Sequence, residues 1–374
     1  MRRALPLLVC AALVAACGQG GNESTTEITG TSPASPDGPT SEPTDATPSG
    51  TDDDGPPEVV ETIASGLEAP WGLDFFEDGD AIVTERDSRR VLRVGTDGGI
   101  TELGTIDAAA PTSEAGLLGV ALSPDFESDN TAYFYVSTDD DNRVLRAELD
   151  GDSLGEPEPI LTGIPVGQIH DGGRLEFGPD GYLYVSTGET GEGSLAQDRS
   201  SLAGKILRIT TDGEPAPGNP FDTEVWSWGH RNIQGLAFDD GDRLWASEFG
   251  ASDFDELNLI EPGDNYGWPE VEGTGGEPDY VDPQLTWSVA DASPSGLAYA
   301  DGHLWMAALR GEQLWRMEVV GNRARKPEGF FVGDYGRMRT IAVAPDGRLW
   351  VTTSNRDGRG DPAEEDDRIL LVEP

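Results

Sequence analysis

Three histidines occur in the 374 residues, and one of them, His170, lies in the turn Gln168-Ile-His-Asp-Gly-Gly-Arg174, just before the alternating run Leu175-Glu-Phe-Gly-Pro-Asp-Gly-Tyr-Leu-Tyr-Val. An imidazole held where a turn enters a buried strand can project into a cavity and exchange protons near neutral pH, which few other side chains do unperturbed. The other two histidines read differently. His303 follows the Asp301-Gly302 turn, in the slot that Tyr182 and Arg348 fill after corresponding turns, so it reads as an exposed turn residue. His230, in Trp226-Ser-Trp-Gly-His-Arg-Asn232, reads as a satisfied structural histidine.

A second group is cationic. Arg231, Arg310, Arg337 and Arg339 stand out in a chain with 25 basic and 70 acidic residues and a formal net charge of -45. Brought to one place, guanidinium groups bind a planar polyanion through paired hydrogen bonds and stacking; taken singly, each is equally explained by a nearby Asp or Glu. The loop Gly250-Ala-Ser-Asp-Phe-Asp-Glu256 offers backbone carbonyls and the carboxylates of Asp255 and Glu256. Those are donors that calcium takes, although the spacing is not that of an EF-hand and charged turn residues are the ordinary reading.

The charge balance excludes partners that present phosphates, nucleic acid first among them. At the N-terminus, Met1-Arg-Arg precedes an apolar run from Ala4 to Ala16, short for a bilayer span and suited to a signal-peptide core over residues 1–16. The run ends Leu13-Val-Ala-Ala-Cys17-Gly, which resembles the lipobox of bacterial lipoproteins. The expectation is an exported chain, lipid-anchored through Cys17 to the outer face of the cytoplasmic membrane; the alternative is an ordinary signal peptide with an incidental cysteine. The only other cysteine, Cys10, lies in the segment that would be removed, so no thiol remains for a disulfide, a metal site or a nucleophile. Residues 17–57 are rich in Ser, Thr, Pro and Asp and cannot bury enough surface to offset their ordering entropy, so they are expected to form a disordered tether.

From residue 58 to 374 the chain changes to short β-rich runs cut by Asp-Gly and Pro-Asp turns. One unit recurs, beginning at Trp71, Gly119, Arg174, Gly235, Gly296 and Thr340. A spacing of roughly 45 to 60 residues is that of four-stranded propeller blades. The expected fold is therefore all-β, a single six-bladed β-propeller. Its inner strands would surround a channel, so the residues just before them converge on one mouth: Glu114, His170, Arg231, Asn232, Pro294, Arg337 and Arg339. The Asp-Gly turns belong at the opposite end.

Four long motifs carry a family resemblance. Leu117-Leu-Gly-Val-Ala-Leu-Ser-Pro-Asp-Phe126, His170-Asp-Gly-Gly-Arg-Leu-Glu-Phe-Gly-Pro-Asp-Gly181, Gly229-His-Arg-Asn-Ile-Gln-Gly-Leu-Ala-Phe238 and Asp255-Glu-Leu-Asn-Leu-Ile-Glu-Pro-Gly-Asp-Asn-Tyr-Gly-Trp-Pro269 resemble the soluble quinoprotein glucose and aldose sugar dehydrogenases, from Leu67 to the C-terminus. The resemblance implies a six-bladed propeller that binds pyrroloquinoline quinone (PQQ) at the channel mouth through calcium and oxidises aldoses to lactones at the anomeric carbon. It implies His170 as general base with Glu189 as its acidic partner, and Arg231 with Asn232 at the reacting side of the cofactor. Arg337 and Arg339 would grip the cofactor carboxylates, and the carbonyls of Gly250 and Ala251 would hold calcium. Three positions depart from the pattern: Arg310 for a lysine, Glu114 for a glutamine beside an anionic cofactor, and Ala251 for a proline. The loops Glu189 to Arg199 and Trp268 to Thr286 are expected to set the choice of sugar. The partners implied are an aldose and an electron acceptor that the resemblance does not name. Two other readings remain: a non-catalytic, calcium-stabilised propeller that binds carbohydrate or protein, and a propeller lactonase, which needs a channel metal held by side chains.

Overall fold

Twenty-four strands, numbered in chain order, form six four-stranded antiparallel sheets. They belong to a computed structural model that describes residues 55–276 and 278–374. The expected leader, Cys17 and the tether up to residue 54 lie outside the described residues. Five sheets are built from consecutive strands. The sixth has the order β1-β24-β23-β22, so β1 (Glu58–Ala64) closes the ring against β24 (Ile369–Glu373), pairing Glu58 with Glu373 and Ala64 with Ile369. This is the six-bladed propeller that the repeat spacing predicts.

The six repeat starts fall on the innermost strands or, for Arg174, on the residue just before one: β2 (Pro70–Phe75), β6 (Leu117–Leu122), β10 (Leu175–Phe177), β14 (Ile233–Phe238), β18 (Pro294–Ala300) and β22 (Met338–Val343). Inner and middle strands are buried, as in β6 and in β12 (Lys205–Ile209), where every residue is inaccessible. Outermost strands such as β21 (Arg323–Phe330) are exposed and charged, which blunts a free sheet edge. Apolar clusters fill the space between adjacent sheets; one joins Trp71, Leu118, Tyr135, Leu175 and Leu207.

The recurrent glycine has a steric cause. A Cβ on Gly119 would lie 2.2 Å from the Gly173 carbonyl oxygen, and one on Gly235 would lie 2.4 Å from the Ser295 carbonyl oxygen. Neighbouring inner strands thus touch backbone to backbone around the channel, which only glycine permits. Five of the six inner strands also carry a register shift beside the mouth, between Pro70 and Leu73, Leu117 and Val120, Ile233 and Gly235, Pro294 and Leu297, and Met338 and Ile341. Such bulges re-aim side chains. Here they fall at Trp71, Gln234 and Arg339, all of which line one mouth of the channel.

Candidate functional site

That mouth holds a cavity of about 320 Å³ lined by five arginines, Arg86, Arg310, Arg337, Arg339 and Arg359, against two carboxylates, Glu114 and Asp357. In a chain with a net charge of -45, this is a local reversal of sign. Arg337 and Arg339 lie 2.9 and 3.2 Å from the same oxygen of Asp357. One anion between two cations leaves a net positive site, so local pairing does not cancel the positive charge. Burial pushes Arg339 down to about 10, and it stays charged at neutral pH. Burial also opposes the charge of Asp357, but Arg339 and Arg337 outweigh it and hold its carboxyl below the usual range. The side chain of Arg310 is exposed at the rim. Pro294 is buried at the start of β18, and its neighbour Ser293 lines the cavity.

Behind the cavity, the guanidinium of Arg174 lies 4.6 Å from the Trp71 ring centroid and donates to the Gln234 carbonyl (2.9 Å) and the Thr340 hydroxyl (3.0 Å). These contacts join three inner strands and floor the site.

His170 occupies the turn before β10 with φ of 59°. A β-carbon makes that left-handed backbone unfavourable, so it persists where several contacts fix it. Its N–H donates to Glu114 Oε2 at 2.9 Å, its carbonyl accepts the Thr190 N–H at 3.2 Å, and the Gly172 N–H donates to Asn232 Oδ1 at 3.0 Å. Asp171 is held from beneath by Asn142 Nδ2 and the Gly167 amide, both at 3.0 Å, and its carbonyl accepts the Tyr135 hydroxyl at 2.8 Å.

The imidazole Nδ1 lies 2.7 Å from Glu189 Oε1. An ionised carboxylate only accepts, so Nδ1 carries the hydrogen and Nε2 is the basic nitrogen. Glu189 is 2% exposed, and its Oε2 has no hydrogen-bond partner. The Glu189 amide donates to the Arg231 carbonyl at 2.8 Å, and Gly188 bridges to Asn232, which sets the histidine partner beside the arginine. Arg231 Nη1 donates to the Phe249 carbonyl at 3.3 Å, its guanidinium lies 5.4 Å from the Trp268 ring, and its buried Nε has no partner. Asn232 is 1% exposed, and its side-chain oxygen is spent on the Gly172 amide.

The loop after β15 (Leu244–Glu248) is organised by Glu272, whose Oε1 accepts the amides of Ala251, Ser252, Asp253 and Phe254 at 2.7 to 3.1 Å. Burial opposes that charge, but the amides outweigh it and hold the carboxyl below the usual range. In a planar trans peptide the N–H and the preceding C=O point opposite ways. With the Ala251 and Ser252 amides aimed at Glu272, the Gly250 and Ala251 carbonyls are turned away from it. Gly250 is required there, since a Cβ would lie 1.9 Å from the Phe254 carbonyl oxygen.

The structure divides the predicted calcium set. Asp255 spends its two oxygens on the amides of Gly250 (2.8 Å) and Ser293 (2.6 Å). Glu256 accepts from the Gly273 amide (2.7 Å) and Asn258 Nδ2 (3.1 Å), and burial, with Glu248 adding, pushes it up to about 8. Both carboxylates are therefore spent on internal hydrogen bonds, and the Gly250 and Ala251 carbonyls, turned away from Glu272, remain as candidate ligands. Among the described residues, no group of three or more His, Cys, Asp or Glu side chains is placed to hold a metal.

The remaining histidines match their readings in outline. His230 is fully buried, with Nε2 2.8 Å from Ser227 Oγ and Nδ1 2.9 Å from Glu248 Oε2, and stacks on Tyr266. His303 is part-exposed, but it opens strand β19 (His303–Ala308), and its ring Nδ1 lies 3.0 Å from the Asp301 carbonyl oxygen. The two loops expected to select the sugar are tied together: Gln197 Nε2 donates to Asn265 Oδ1 (3.0 Å) and to the Trp268 carbonyl (2.7 Å).

Sequence reading missed Arg86, Arg359, Asp357 and Glu272. A signal for the first existed in the repeat. The second strand of each blade runs back to the same mouth, so the residue after it also reaches the cavity, as Arg86, Phe249 and Leu309 do. Asp357, Arg359 and Glu272 lie on irregular loops, where no periodicity fixes direction.

Residues 67–370 match the family described as Glucose / Sorbosone dehydrogenase. The chain is similar to the PQQ-bound aldose sugar dehydrogenase of Streptomyces coelicolor, a solved structure, with 53% identity, a TM-score of 0.82, and 85% of this chain and 97% of that one covered. It is 31% identical over 340 residues to the aldose sugar dehydrogenase YliI of Escherichia coli, covering 80% of this chain and 91% of that protein. It is also 31% identical over 285 residues to quinoprotein glucose dehydrogenase B of Acinetobacter calcoaceticus, covering 64% of this chain and 59% of that protein.

Proposed function

The chain belongs to the glucose/sorbosone dehydrogenase family, and on that premise we propose that it oxidises aldoses at the anomeric carbon to lactones, with PQQ and calcium at the arginine-lined mouth. The observation that carries the reading is the His170–Glu189 pair, 2.7 Å apart, beside a cavity lined by five arginines in an acidic protein.

The residues fit a planar anion: Arg337 and Arg339 share one carboxylate, and the buried Arg231 Nε lacks a partner. They also fit a hard cation held by carbonyls, since Gly250 and Ala251 turn theirs away from Glu272. When bound, PQQ supplies the hydride acceptor, and calcium polarises it.

The work of this chain is then to place and deprotonate the sugar. His170 Nε2 takes the proton of the anomeric hydroxyl as the C1 hydrogen departs as hydride, leaving the lactone. Glu189 holds the imidazole in the tautomer that makes Nε2 basic and stabilises the imidazolium that forms. Arg231, partly desolvated against Trp268, would stabilise negative charge on the acceptor. The test is turnover: purified protein with PQQ and calcium should reduce an artificial acceptor with aldoses, whereas His170→Ala should not. Turnover no higher than that of His170→Ala across a broad sugar panel would contradict the reading and leave a binding propeller.

A further inference from the structure

Glu114 lies at the junction of the two halves of the site. One carboxylate oxygen, Oε2, accepts the His170 N–H at 2.9 Å; the other, Oε1, lies 2.8 Å from Arg359 Nη1. The Glu114 side chain is 18% exposed, and that of Arg359 is 54% exposed. Both line the cavity that holds Arg310, Arg337 and Arg339. By itself the carboxylate would repel an anionic cofactor. Arg359, on the loop after β23 (Leu349–Thr353), supplies the compensating charge from two blades away.

We propose that Glu114 and Arg359 act as one rim unit: Glu114 positions His170 through its backbone amide, and Arg359 neutralises Glu114 so that the cavity admits an anionic cofactor. The inference rests on the PQQ reading above. Its physical basis is the asymmetry of a half-buried ion pair, in which losing the cation leaves an uncompensated carboxylate whose cost exceeds that of the lost attraction. Arg359 thus matters chiefly because of Glu114. Glu114→Gln keeps an oxygen for the His170 amide and removes the charge, whereas Glu114→Ala removes both. Glu114 is therefore a positioning residue, and its two oxygens have separable roles.

The experiment is a double-substitution cycle on the purified protein with calcium present, read by PQQ titration from the cofactor absorbance and by kcat and KM for an aldose. Arg359→Gln should weaken PQQ binding by about tenfold or more in the Glu114 background and by less than about threefold in the Glu114→Gln background. Glu114→Ala should have a kcat at least about tenfold below that of Glu114→Gln, with KM for the sugar changed less, because only the alanine releases the His170 backbone. An equal loss from Arg359→Gln in both backgrounds would overturn the neutralising role. Equal kcat for the alanine and glutamine variants would overturn the positioning role. Absence of PQQ binding by the unsubstituted protein would instead overturn the cofactor reading, and this inference with it.

Discussion

In the role proposed for His170, the tautomer decides which nitrogen is basic, and one contact sets it. With Nδ1–H committed to Glu189 at 2.7 Å, proton exchange is confined to Nε2. Glu189→Gln keeps the shape and removes the charge that stabilises the imidazolium. The expected outcome is a fall in kcat of about 100-fold with PQQ affinity retained, checked by steady-state kinetics on protein saturated with cofactor. His170 was legible in the sequence because a rare residue type preceded an inner strand. The left-handed backbone and its ties to Glu114, Thr190 and Asn232 were not, since they depend on loops from two other blades meeting at the mouth.

Among elements, the propeller separates what a repeat can specify from what it cannot. The apolar alternation and the close-approach glycines recur in register, so the inner strands, and the residues before them, could be placed in advance. The loop from Gly250 to Phe254 could not. Its shape is set by one carboxylate some twenty residues later in sequence, Glu272, which gathers four amides and so turns the carbonyls that precede them, Gly250 to Asp253, away from itself. In the sequence, Asp255 and Glu256 stood beside the Gly250 and Ala251 carbonyls as candidate ligands because they sit inside the loop; the structure hydrogen-bonds both to backbone amides. Glu272→Ala should release the loop and raise the calcium concentration needed for half-maximal PQQ binding by about tenfold or more. A calcium titration of cofactor absorbance checks this. Direct carboxylate ligation by Asp255 and Glu256 would make the same substitution nearly silent.

Across the whole molecule, the channel has two chambers divided by Arg174 and Trp71. The chamber on the Asp-Gly-turn side is a cavity of about 370 Å³, lined by all six inner strands and containing Asp74 and Glu176. Burial, with the charge of Asp74 adding and Arg174 opposing, pushes Glu176 up from 4.5 to about 8. The folded protein therefore binds this proton more tightly than the unfolded chain does. Stability from this group is complete below pH 4.5 and is lost as pH rises to about 8. Glu176→Gln mimics the protonated form. Its melting temperature should equal that of the unsubstituted protein near pH 4 and exceed it by about 2–3 °C above pH 8, in thermal scans across pH. Ring closure by β1 and β24 keeps this chamber lined on every side, and the repeat count alone implied that closure.

The arginine-lined mouth and the His170–Glu189 pair are proposed to act together on a sugar and a bound quinone. The most direct measurement is anaerobic: protein loaded with PQQ and calcium is mixed with an aldose, and the cofactor absorbance is followed without any acceptor. A single turnover should reduce the bound cofactor in the unsubstituted protein, with no reduction in His170→Ala even though that variant binds PQQ. Cofactor that binds and is reduced equally in both proteins would contradict this proposal.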